Sequence, residues 1–132
     1  MPRQAKRMTP AMWATNLLRQ HRTQAEAVRE VDSLLAFYAQ AQALSRVYRT
    51  TDRAGEAKAD TTRRAAIRQL RAIRRVLVGP GRDDRAAVRR INAAAAAYAA
   101  GYRRAFPTLE MALKARTREI ASSERSGCPA AA

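Results

Sequence analysis

Arg63-Arg64-Ala65-Ala66-Ile67-Arg68-Gln69-Leu70-Arg71-Ala72-Ile73-Arg74-Arg75-Val76-Leu77 carries two periodic signals at once. At about 100° per residue, Arg64, Arg68, Arg71 and Arg75 fall within a sector roughly 60° wide. Ala66, Leu70, Ile73 and Leu77 gather on a nearly opposite sector. A helix with this pattern enters a core by one face and presents a guanidinium ladder about 16 Å long on the other.

The same helical reading extends in both directions. Upstream, Thr9-Pro10 predicts a helix start, with Thr9 as N-cap and Pro10 in the first turn. Met12, Trp13 and Leu17 follow on that helix, Trp13 as either a core residue or a subunit contact. Thr23 with Glu26 three residues on forms a capping box, which predicts a break and a second helix. Val28, Val31, Leu35 and Tyr38 give this helix an apolar stripe that continues through Leu44 towards Tyr48. Thr50 to Gly55 reads as a polar connection, so the ladder helix is expected to start between Glu56 and Thr62. Gly79-Pro80-Gly81 ends it.

Downstream, Asp83 and Asp84 suit a helix N-terminus by capping and by the dipole. The fourth helix carries Val88, Ile91, Ala95, Tyr98 and Tyr102 on one stripe, with Arg85, Arg89 and Arg103 pointing away from it. Five consecutive alanines, Ala93 to Ala97, permit close helix approach but bury little area each. Phe106-Pro107 marks a corner, and Leu109, Leu113 and Ile120 mark a last helix. No strand-like alternation occurs. The expected fold is all-α, a compact bundle of four to five mostly antiparallel helices. Residues 1–8 read as a basic arm, 9–125 as one domain and 126–132 as a frayed tail.

The chain of 132 residues has a formal net charge of +15, and only Lys6, Lys58 and Lys114 among its cations are not arginine. Guanidinium groups fork onto phosphate oxygens and stay charged at any ordinary pH. A charge excess of this size costs self-repulsion on compaction, which an anionic partner relieves. Cys128 is the single cysteine, which excludes an intramolecular disulfide and fits a cytoplasmic location. No run of about 20 apolar residues predicts a membrane span.

Catalytic chemistry finds little material. His21 and Cys128 are the only residues of their kinds and have no metal-ligand spacing, so neither a metal site nor a cysteine–histidine nucleophile is expected. His21 reads as an exposed or interface residue. Asp83 and Asp84 are accounted for by helix capping without a magnesium ion. Glu26, Glu30 and Asp32 read as partners in surface ion pairs. Gly79-Pro80-Gly81 lacks the spacing and the lysine of a phosphate-binding loop. No cofactor or enzymatic activity is therefore expected. Tyr38, Tyr98 and Tyr102 lie on apolar stripes and read as core, which argues against a platform of stacked bases.

The ladder has no acidic residue around it between Thr61 and Arg82, and Glu does not alternate with Arg along it as in a helix stabilised by its own ion pairs. The expectation is a polyanion-binding face made of Arg64, Arg68, Arg71 and Arg75, helped by Arg85 and Arg89 and extended by Arg46, Arg49 and Arg53. With no sequence-reading motif, binding should be to RNA or single-stranded DNA backbone, with little sequence preference and a steep salt dependence.

In size, in its all-helical build, in the ladder helix and in the second basic helix at Arg85-Ala86-Ala87-Val88-Arg89-Arg90, the chain resembles the small helical subunits of multi-subunit (class 1) CRISPR effector complexes. That resemblance rests on architecture and charge and carries over no individual residue. It implies a non-catalytic subunit of a ribonucleoprotein, stacked in several copies against larger protein subunits. Two other readings stand beside it: a phage or plasmid DNA-binding accessory protein, and a structural adaptor whose arginines dock an acidic protein.

Overall fold

The structure, a computed structural model, describes residues 8–79 and 84–125. Five helices follow one another: α1 (Pro10–Gln20), α2 (Gln24–Val47), α3 (Arg53–Val78), α4 (Arg85–Ala105) and α5 (Leu109–Arg125). No strand occurs among the described residues.

Local side-chain chemistry sets the boundaries. The Met12 backbone N–H donates to Thr9 Oγ1 at 3.2 Å, and the Glu26 N–H donates to Thr23 Oγ1 at 3.1 Å. The Glu26 carboxylate accepts from Arg22 N at 3.1 Å, one residue outside the classical capping-box partner. The break at His21–Thr23 is thus held from both sides. α3 begins at Arg53, earlier than its sequence suggests, because Asp52 Oδ1 accepts from Gly55 N at 3.0 Å and nucleates the first turn within the polar connection. Gly79 ends it at φ 88°, a conformation that favours glycine. Asp84 occupies the N-cap of α4 without a side-chain capping bond, contrary to expectation, and its Oδ2 is buried with no hydrogen-bond partner. Thr108 supplies a cap for α5 that the corner at Phe106-Pro107 obscured, accepting from Met111 N at 3.2 Å. Pro80, Gly81 and Asp83, the arm over residues 1–7 and the tail lie outside the described residues.

α2 is the hub. It packs against both α3 and α4, while α1 lies mainly on α3. α2 and α3 run antiparallel: Gln24 at the start of α2 donates to the Leu77 carbonyl near the end of α3, and Gln42 Nε2 donates to Asp60 Oδ1 at 2.8 Å near the other end. α4 runs alongside α2 in the same direction. Asp32 and Ala36 share a cleft with Ala87 and Ile91, and Tyr48 Oη donates to the Phe106 carbonyl at 2.5 Å.

Leu17, Val31, Leu35, Leu70, Ile73 and Leu77 form the main core with Ala14 and Ala27, and Val28, Tyr38, Ile67 and Ile91 pack around it. The expected inward stripes of α2 and α3 therefore do face the core. Half of the buried hydrophobic residues described are alanines, and Val31 is the only large side chain below 2% exposure. Each alanine removes little apolar area from water, so this interior is thin for its backbone length.

α5 reverses its expected polarity. Ala112 and Ala115 are the buried residues, while Leu113 and Ile120 are 58% and 53% exposed. Small side chains let α5 close on the end of α4, where Tyr102 Oη donates to the Ala112 carbonyl at 3.4 Å. The bulky residues are left at the margin. Tyr98 likewise sits at the surface, although Tyr48, Tyr102 and Phe106 form the edge-on and tilted aromatic cluster beside it.

Candidate nucleic-acid interface

The four ladder arginines follow α3 as an unbroken helix, so the sector read from their spacing is a continuous surface. Arg64, Arg68 and Arg75 are exposed and Arg71 is half-buried. Arg64 is shared with Asp60 one turn earlier, Nε to Oδ2 3.0 Å, a carboxylate just upstream of the stretch from Thr61 to Arg82. Arg68 and Arg75 have neither a hydrogen bond nor an ion pair among the described residues. Arg71 keeps its Nε out of solvent without a partner, an unsatisfied donor that costs about 1–3 kcal/mol.

Two further arginines of α3, Arg63 and Arg74, do structural work. Arg74 is 9% exposed and its Nε donates to Asp32 Oδ1 of α2 at 2.7 Å. Arg63 leans towards α2, where its Nε donates to Gln42 Oε1 and its Nη2 to Ser45 Oγ at 3.3 Å. These contacts fix the rotation of α3 about its axis. With Arg63 and Arg74 held to α2, the sector about 60–140° further round, carrying the ladder, is turned outward.

Arg85 and Arg89 are exposed on α4. α4 packs on α2, and α3 and α4 are not a principal packed pair. The two groups of candidate residues are therefore carried on separate helices that flank α2, and only the α3 set forms a single line. Arg103 is not a free cation: its Nη1 donates to the Val47 carbonyl.

The carboxylates expected in surface ion pairs divide by role. Asp32 neutralises buried Arg74, Glu30 pairs with the half-buried His21, and Glu26 serves the α2 cap. None of the three meets an arginine of its own helix. Trp13 is 43% exposed, which removes its core reading, and Met12, Leu18, Leu34 and Phe37 are also at least 40% exposed. Among the described residues, no group of three or more His, Cys, Asp or Glu side chains comes together as a metal-ion site. No described helix is long and apolar enough to cross a membrane.

No protein-family model matches this chain, and neither the curated proteins nor the solved structures contain a significant match.

Proposed function

We propose that this chain is a non-catalytic subunit of a ribonucleoprotein assembly that holds nucleic-acid backbone on the outer face of α3, in the manner of the small helical subunits of class 1 CRISPR effector complexes. The observation carrying this reading is the pair Arg68 and Arg75: two exposed guanidiniums on the line of Arg64 and Arg71, with neither a hydrogen bond nor an ion pair among the described residues. A net charge of +15 makes a polyanion the natural counterpart. Contacts of this kind position a strand and neutralise its charge without reading its bases. Exposed Trp13, Leu18, Leu34 and Phe37, together with the alanine-rich interior, support contact with further subunits.

The test is purification of the full chain from the cells that make it, followed by absorbance ratio and nuclease sensitivity. A defined small RNA with protein partners is the expected result. Heterogeneous DNA would point to a packaging or transfer accessory protein instead. An acidic protein partner with no nucleic acid at moderate salt would overturn the proposal in favour of an adaptor.

A further inference from the structure

The ladder does not stop at Arg64. On the same wheel Arg53, at the first position of α3, falls back onto the sector of Arg71, about 33 Å from Arg75 along the axis. Here the face opens into a cleft of about 340 Å³ between the end of α2 and the first turns of α3. Arg46, Arg49, Arg53 and Arg63 line it, with the carboxylates of Glu56 and Asp60.

Both carboxylates are already engaged. Asp60 accepts from Gln42 and from Arg64. Glu56 Oε1 accepts from the Thr50 backbone N–H at 2.7 Å, which holds its pKa below the ordinary value and keeps it ionised at neutral pH. Arg63 is pre-positioned by Gln42 and Ser45. Arg46, Arg49 and Arg53 have neither a hydrogen bond nor an ion pair among the described residues. Four guanidiniums from two helices thus converge on one concavity against two carboxylates, a surplus of positive charge in one place.

Convergence distinguishes the cleft from the ladder. A line of single arginines suits the singly charged phosphodiesters of a chain. A cluster suits a phosphomonoester, which carries a charge of about −1.5 to −2 at neutral pH and offers three acceptor oxygens. We propose that this cleft is a site for a terminal phosphate group, seating the phosphorylated end of a nucleic-acid strand whose following backbone runs onto Arg64, Arg68, Arg71 and Arg75. The strand's course rests on the function proposed for the ladder; the phosphomonoester site does not.

The experiment compares, by fluorescence anisotropy with the full chain, short single-stranded oligonucleotides of one sequence ending in 5′-phosphate, 3′-phosphate or hydroxyl at both ends. One phosphorylated form should bind about tenfold more tightly than the hydroxyl form, the worth of one additional charge-assisted contact or more. The double variant R49Q/R53Q should abolish that preference, bringing all three oligonucleotides to one affinity. Both side chains are exposed and neither forms a hydrogen bond or ion pair among the described residues, so circular dichroism should match the unaltered chain. The converse variant, R68Q/R75Q, should weaken all three oligonucleotides and retain the preference. Adenosine 5′-monophosphate as competitor separates sources: competition against the phosphorylated strand alone identifies the terminal group itself as the recognised chemistry. Equal affinity for all three strands, lowered by R68Q/R75Q, would overturn the cleft proposal and leave the ladder standing. A phosphate preference that survives R49Q/R53Q would also overturn it. A preference lost in R49Q/R53Q, with R68Q/R75Q inert, would support the cleft and refute the ladder.

Discussion

Replacing Arg68 and Arg75 by glutamine gives the most direct measure of whether the α3 face meets phosphate. Glutamine has nearly the helix propensity of arginine and keeps most of the side chain, so α3 should persist. For a single strand, log K falls with log salt at a slope of about −0.7 per neutralised phosphate, so four ladder contacts give about −2.8 and two give about −1.4. Between 50 and 200 mM salt, the unaltered chain should then lose about 50-fold in affinity and the variant about 7-fold. The structure also ranks the positions. Arg68 and Arg75 have no ion-pair partner among the described residues, whereas Arg64 already shares Asp60, so R64Q should change the slope less than R68Q. The assay is anisotropy titration at four or more salt concentrations, with unfolding curves run in parallel to confirm equal stability. A slope that moves by less than about half a unit in R68Q/R75Q would place the phosphate contacts elsewhere and refute the reasoning.

Asp60→Asn should tighten backbone binding a few-fold, because it removes a carboxylate from the ladder and releases Arg64 while an amide oxygen remains for Gln42; weaker binding in the same titration would contradict this. Asp32→Ala strands the buried Arg74 guanidinium and should cost about 2–3 kcal/mol by urea unfolding, less than the roughly 3–5 of a fully buried pair because Asp32 is partly exposed, and Asp32→Leu with Arg74→Met should recover most of it. Val31→Ala should cost about 2 kcal/mol in the same assay, since the side chain is wholly enclosed and α2 is packed on more than one side. Burial raises the Tyr102 pKa above its ordinary value of 10.0, so its contribution is fully present below about pH 10 and is lost as pH rises through the raised value. Tyr102→Phe should flatten the alkaline end of the stability profile, which thermal melts between pH 8 and 11 would report.

Helices with a cap in front and a periodic stripe behind were legible from sequence, because both signals are local. Thr9, Thr23 and the Leu70–Ile73–Leu77 stripe each act within one or two turns, and each is found where its spacing places it. What escaped was set by partners distant in the chain. The helical wheel sets Arg74 between the ladder and the core stripe, but nothing local shows that it is buried; that depends on Asp32, 42 residues away. The polarity of α5 misled for a related reason. Leucine and isoleucine usually mark the inner face, but here Ala112 and Ala115 are the buried residues and Leu113 and Ile120 are exposed. Asp52 shows a local signal that went unread, since a side chain that caps three residues on looks the same in a turn as at a helix start. The ladder was legible as a pattern, whereas the cleft at its end was not, because the convergence of Arg46 and Arg49 with Arg53 and Arg63 depends on how α2 and α3 are apposed.

The alanine docking of α5 has a kinetic meaning. A helix whose buried residues are Ala112 and Ala115 has little apolar area to lose by lifting off, while α2 is packed on by three other helices. The chain should therefore open in stages, with α5 amides exchanging their protons well before those at the centre of α2. Each such opening uncovers Tyr48 and Tyr102 and the apolar pocket of about 260 Å³ they share with Leu44 and Leu109, without disturbing the Leu70–Ile73–Leu77 side of α3 that orients the arginines.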